Sequence, residues 1–247
     1  MILGVDLEEK SWSSDRNYCI KVHATQIKNG KNIYLRQPSR KYYNYNTRGP
    51  GKIAEEILDM FPYAKEVAPY EKIVFSLKDV KIKEAKHCIL IDHHEGVSED
   101  DIECLMKEML ELNKNEVYEH EIIQILPFAF GLGDGNEIKN PLGVVVPRLE
   151  VSANIIYARK EKLDFMRKII KKLGTRVKSY NFVYSEYAKM IAKLEVDKIE
   201  TNDEYYERTY SPDLWVDELL FGLCLYGRGH NALYEVDSNG DVLLKGF

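Results

Sequence analysis

Apolar residues along this chain recur with two spacings, one near two and one near 3.6, separated by polar breaks. Ile2 to Leu7 is a short apolar run that meets an acid, and it predicts a buried strand. Tyr18, Ile20, Val22 and Ala24 alternate with polar residues and predict a second strand. Asn29-Gly30 then predicts a hairpin turn, because Gly takes positive φ without steric cost, and Ile33 and Leu35 begin the return strand. Arg40 to Gly51 is polar, rich in Tyr and Asn and closed by Gly-Pro-Gly, which predicts a loop. Ile53, Ile57, Met60 and Phe61 have helical spacing, stopped by Pro62.

A second block of elements begins near Tyr70, with strands at Ile73 to Leu77 and Cys88 to Asp92. Ser98 and Asp101 form the pattern of a capping box, and Ile102, Leu105, Met106, Met109 and Leu110 make one apolar helical face behind it. Glu121 to Phe130 predicts a strand whose Pro127 demands an edge position or a bulge. Asn140 to Gly143 predicts a turn, and the alternation of Val151, Ala153, Ile155 and Tyr157 another strand. Leu163, Met166, Ile169, Ile170 and Leu173 mark a helix ended by Gly174 at C′. A short strand around Val177 and a helix from about Ser185 to Leu194 follow. Glu195 to Asp213 is charged and Tyr-rich, a surface loop by composition. The end of the chain predicts three strands, Leu219 to Leu225, Asn231 to Val236 and Val242 to Lys245, with Asn239-Gly240 turning the last pair. This mixed order of strands and helices places the chain in the α/β or α+β class.

Composition narrows the function classes. The 247 residues are 45% hydrophobic and 30% charged, a balance that argues for a packed globular chain. Net charge is −5, with basic and acidic residues interleaved, so nucleic acid is not an expected partner. No apolar run reaches the roughly 20 residues that span a bilayer. The N-terminus carries acids where a signal peptide needs a basic start. Cys19, Cys88, Cys104 and Cys224 are scattered, with no CxxC, so neither zinc ligation nor a disulfide framework is expected and a cytoplasmic location is.

The middle of the chain carries a family signal. Val97-Ser98-Glu99-Asp100-Asp101-Ile102-Glu103 is similar to the helix start in the inserted domain, 1C, of the bacterial cell-division FtsA family. His120-Glu121-Ile122-Ile123-Gln124-Ile125-Leu126-Pro127 resembles that domain's strand with a late proline, and Ile138 to Gly143 with Arg148-Leu149-Glu150-Val151 its turn and next strand. Leu173-Gly174 and Val177 resemble the helix end and strand that return to the family's actin-like core. The resemblance implies an actin-like, ribonuclease H-like first lobe at 1–69 and 179–215. It also implies a 1C-like α+β insert at 70–178 and a remnant hairpin of a largely missing second lobe at 216–247.

The flanks depart from the family where it holds nucleotide. Val5-Asp6-Leu7 resembles the first phosphate strand, but Glu8, Glu9 and Lys10 follow where Gly and hydroxyl residues are expected, and carboxylates there repel phosphate. The segment from Gly222 resembles the second phosphate hairpin, with Tyr226 replacing its Asp. If nucleotide binding survives, the resemblance places Asp6, Lys10, Gly227, Arg228 and Gly229 around ATP and Mg²⁺. The losses favour no cofactor and no catalysis.

A rival motif is Asp92-His93-His94 after an apolar strand, similar to the metal-binding triplet of DHH phosphoesterases. Asp6 with Glu8 only imperfectly supplies the further acids that chemistry needs, and a polar strand end is the plainer explanation. His23, His87 and His120 show no ligand spacing, and Ser11, Ser13 and Ser14 lack a nucleophile context. Lys160, Lys162, Arg167, Lys168, Lys171 and Lys172 make one helix basic, which allows a peripheral membrane contact at most. Tyr42, Tyr43 and Tyr45 either cover a core edge, the favoured reading, or form an exposed adhesive patch. The expected function is therefore a non-catalytic FtsA-like adaptor that self-associates or binds other division or cytoskeletal proteins. An ATP-binding polymerising protein and a metal-dependent phosphoesterase are the alternatives.

Overall fold

The computed structural model describes residues 2–12, 15–28, 31–34, 39–41, 49–59, 70–92, 95–133, 135–199, 218–227, 234–236 and 242–244. The chain divides into two compact units, Met1–Lys78 with Leu163–Asn231, and Asp79–Lys162 with Ala232–Phe247.

The first unit is built on a mixed sheet. Its described strands are β1 (Ile2–Trp12), β2 (Asp15–Lys28), β3 (Lys31–Tyr34), β4 (Ser39–Lys41), β5 (Tyr70–Leu77) and β10 (Val177–Tyr184). The order is β10-β5-β1-β2-β3, with β4 also on β2. β1, β2 and β3 form an antiparallel meander, whereas β5 runs parallel to β1 and β10 parallel to β5. Lys28 pairs with Lys31, so the connection spans the two residues expected of the hairpin, although Asn29 and Gly30 lie outside the described residues.

β1 reads as a continuous apolar run because both of its faces are covered. Leu3, Val5 and Leu7 are buried on one face, and Ile2, Gly4 and Asp6 on the other. The second face packs on helix α5 (Glu218–Gly227), where Ile2 and Val74 join Leu219, Leu220, Leu223 and Tyr226 in one cluster. Helix α4 (Ser185–Ile199) contributes Ala188, Ile191 and Ala192 to the same cluster. Helix α3 (Lys160–Leu173) sets the Arg167 guanidinium 5.9 Å from the centre of the Phe182 ring on β10. Gly174, φ +67°, ends α3 in the left-handed conformation expected of it.

Helix α1 (Pro50–Asp59) buries Ile53, Ala54 and Ile57. Pro50 and Gly51, expected in a loop, open this helix, since proline's missing N–H costs nothing in a first turn. A larger correction concerns residues 219–225, expected as a strand. They lie in α5, and Gly222 to Gly227 are buried, so the apolar run is a helix enclosed on its described surface rather than a sheet element. The tyrosine cluster at 42–45 and most of the expected loop at 195–213 fall outside the described residues.

The second unit has the sheet order β6-β9-β7-β8. Its strands are β6 (Val80–Leu90), β7 (His120–Gly131), β8 (Glu137–Ile138) and β9 (Arg148–Arg159). Helix α2 (Glu99–Asn113) buries Ile102, Leu105, Met106, Met109 and Leu110, the five residues of the expected face, against Leu149, Val151, Ala153, Ile155 and Tyr157 of β9. The capping box forms as expected: Ser98 Oγ accepts from the Asp101 amide at 3.2 Å, and the Ser98 amide donates to Asp101 Oδ2 at 2.8 Å. The register of β7 against β9 shifts between Pro127 and Ala129, the irregularity that proline demanded. β11 (Tyr234–Val236) and β12 (Val242–Leu244) form an antiparallel hairpin that belongs to this unit.

The unit boundaries differ from the expected 70 and 178. β5 and β10 hydrogen-bond into the sheet of β1, so they belong to the first unit, and residues 79–162 lie in sequence between those two strands, ending in the first turn of α3. The expected remnant at 216–247 is likewise divided, α5 falling in the first unit and the hairpin in the second.

Candidate functional site

Two places in the fold could carry function: the polar end of the first sheet at Asp6, and the surface of the second unit.

Asp6 is 1% exposed on the α5-facing side of β1. Because β5 runs parallel beside it, with Val5 opposite Phe75, the next residue along β5 is Ser76, also buried. Ser76 donates its hydroxyl to Asp6 Oδ1, and Lys78 donates to Oδ2 at 3.0 Å. Both carboxylate oxygens are thus held by β5 and the residue after it. A buried carboxylate is tolerated when it is paired and hydrogen-bonded in this way. Ser76 and Lys78 were missed in the sequence; the available signal was a serine interrupting the apolar run Ile73 to Leu77.

Of the other expected nucleotide residues, only Gly227 lies fully within the described residues. Gly227 is buried in the last turn of α5, where an added Cβ would lie 2.6 Å from Ile2 Cγ2 and 3.0 Å from Val74 Cγ2. Close packing onto β1 and β5 therefore accounts for this glycine. Tyr226, expected in a hairpin loop, is a fully buried helix residue whose ring meets that of Tyr187 edge-on at 6.3 Å. Lys10 lies on β1 with its side chain outside the described residues, as are Arg228 and Gly229 entirely. Asp92 is exposed just past β6, while His93 and His94 lie outside the described residues. Among the described residues no group of three or more His, Cys, Asp or Glu side chains has a metal-holding arrangement.

On the second unit, β6 and α2 exchange polar contacts. His87 Nε2 lies 2.7 Å from Glu108 Oε2, and the Cys104 thiol donates to Glu108 Oε1 at 3.7 Å. Desolvation, then the neighbouring Glu108 carboxylate, pushes the Cys104 thiol above its ordinary pKa. That shift works against a nucleophilic thiolate. Lys83 pairs with Glu116, and His120 Nδ1 contacts the Tyr118 carbonyl at 2.7 Å. Burial raises the Tyr157 hydroxyl, which donates to the Asn113 carbonyl at 3.3 Å. Six large apolar side chains of this unit are exposed, Ile82, Leu90, Leu112, Tyr118, Phe128 and Val145, among exposed charged residues such as Lys81, Glu84 and Lys107.

On the basic helix, Lys162 pairs with Asp79 at 3.2 Å and Arg167 with Asp164 at 3.1 Å, while Lys160, Lys168, Lys171 and Lys172 are exposed. No helix among the described residues is long and apolar enough to cross a membrane.

Residues 78–157 match the model of the SHS2 domain inserted in FtsA. This segment nearly coincides with the first stretch of the second unit, so the chain resembles FtsA through a domain that folds as a compact body. The particular relatives are the cell-division proteins FtsA of two Helicobacter pylori strains, ATCC 700392 / 26695 and J99. Each is 37% identical over 79 residues, 32% of this chain. The match spans 15% of the length of those relatives. Among solved structures, a PilM-PilN type IV pilus biogenesis complex aligns with 81% of this chain and 51% of its own, at 14% identity and a TM-score of 0.43.

Proposed function

We propose that this protein is a non-catalytic, FtsA-like assembly or adaptor protein of bacterial cell division or a related cytoskeletal scaffold. The observation that carries the proposal is the coincidence of the SHS2 match, 78–157, with a separate unit that interrupts the chain between two strands of the first sheet. The strand order β3-β2-β1-β5-β10, three antiparallel then two parallel, supports a ribonuclease H-like, actin-like first lobe carrying a 1C-like insert. Self-association or binding to other division proteins follows from this reading. A chain of two units with different surfaces makes heterologous contacts, which grow into filaments when they do not close.

Nucleotide has no part in the proposed function. The Asp6 carboxylate is held by Ser76 and Lys78, and Gly227 is packed into the core, which supports a first lobe without a working phosphate cradle. Sedimentation of the full chain with and without Mg-ATP tests the proposal: assembly that is indifferent to nucleotide supports it. A strictly monomeric chain that binds no division protein overturns it. A thermal shift with Mg-ATP would restore the ATP-binding alternative, since a ligand of the folded state stabilises it.

A further inference from the structure

β6 is the outermost strand of the second unit's described sheet, pairing with β9 on one side. It is eleven residues long, and Lys81 to Glu84 are exposed in succession on both faces. Edge strands of that length offer a row of main-chain donors and acceptors to another strand. Lysines usually guard such edges, and Lys81, Lys83 and Lys86 are present here. Two large apolar side chains nevertheless stand among them, Ile82 at 50% exposure and Leu90 at 81%.

The order of residues on this strand is self-complementary. Ala85, Ile89 and His87 face α2, since the first two pack on its core and His87 meets Glu108. Val80, Ile82, Glu84, Lys86, Cys88 and Leu90 therefore occupy the opposite face, because side chains alternate along a strand. Turned antiparallel about Ala85, the strand meets its own copy in register. Val80 then faces Leu90, Ile82 faces Cys88, and Glu84 faces Lys86, each pair occurring twice. On the α2 face Lys83 would meet His87, but each already has a carboxylate partner in its own chain, Glu116 and Glu108. A shift of two residues either way would set Glu84 against itself or Lys86 against itself, and like charges directly opposite are unfavourable.

We propose that β6 pairs edge to edge, antiparallel and centred on Ala85, with β6 of a second copy of this chain, joining two sheets into one. The contact is two-fold and closed, so it is distinct from the head-to-tail growth proposed above, and it rests on that reading only in taking self-association as the protein's work. One ladder of strand hydrogen bonds buries little area, which places the dimer in the weak, concentration-dependent class.

Sedimentation equilibrium of the full chain, carried to about 1 mM, tests it. The wild type is expected to dimerise reversibly. Glu84→Lys sets two lysines opposite each other twice, and Lys86→Glu does the same with two glutamates. Each is expected to weaken the dimer about tenfold or more, because cross-strand charge pairs turn from favourable to unfavourable at two places. The double variant Glu84→Lys/Lys86→Glu restores opposite charges and is expected to recover the wild-type constant. Both side chains are exposed, so a thermal melt of each variant serves as the folding control. A monomeric wild type, single variants without effect, or a double variant that fails to recover would each overturn the proposal. Filaments that form regardless of these charges would leave the assembly reading intact while sinking this one. A charge-swappable dimer without filaments or division partners would do the reverse.

Discussion

Gly222 of α5 lies directly against Ala188 of α4: a Cβ on the glycine would sit 1.8 Å from the alanine carbonyl oxygen. The two helices therefore touch backbone to backbone, and α5 reaches β1 in the same manner, since a Cβ on Gly4 would lie 2.8 Å from the Leu220 carbonyl oxygen. Glycines at these crossings let an almost wholly apolar helix enter the middle of the first unit.

Gly222→Ala has a diagnostic sign. In an unobstructed helix the change stabilises, because glycine costs about 1 kcal/mol relative to alanine. Here the methyl meets backbone that cannot rotate away, and overpacking of about 3 kcal/mol or more is expected. Urea denaturation of the two proteins decides it; a neutral or stabilising result would mean that α4 and α5 stand further apart.

The Asp6 contacts predict a coupled pair. Lys78→Met removes the cation from a buried carboxylate and is expected to destabilise by about 1–3 kcal/mol. Asp6→Asn in the same chain removes the charge that was stranded and should recover part of the loss. A double-mutant cycle measures that coupling. Strict additivity would show that Lys78, whose side chain is 41% exposed, is held by water rather than by Asp6.

Ser98→Ala deletes the side-chain half of the α2 capping box. A loss of about 1 kcal/mol is expected, readable as a lower denaturation midpoint with an unchanged slope.

Cys104 should alkylate slowly for an exposed thiol. Desolvation and Glu108 raise its pKa, so less thiolate exists at a given pH than for an ordinary cysteine. Glu108→Gln removes the carboxylate's share but not the desolvation, and is expected to lower the pKa partway and speed alkylation at pH 8. Peptide-resolved mass spectrometry separates Cys104 from Cys19, Cys88 and Cys224; equal rates in both proteins would count against the Glu108 contribution.

Much of the second unit was legible from the chain because its determinants are local. The Ser98–Asp101 box, the α2 face and the Pro127 irregularity each act within a few residues, and each appears where the spacing placed it. β6 was seen only from Cys88 onward, since its first half is charged and exposed and has little apolar contrast. The Asp6 site was half legible: the acid stood out after its strand, but its partners lie 70 and 72 residues away and meet it only through parallel pairing with β5.

Local spacing of apolar, capping and turn residues determined the type of α2, β9, α3 and the early meander, because those forces act over one or two turns of chain, although β1 runs on to Trp12, past the expected Leu7. Tertiary structure decided the rest. A helix buried on all its described faces has no polar stripe, so Leu219 to Leu225 carried no period by which to tell it from a strand. The pairing of β5 with β1 and with β10 is a long-range hydrogen-bonding choice; it set the unit boundaries and put Ser76 and Lys78 on Asp6, the carboxylate placed near phosphate in the nucleotide-binding alternative.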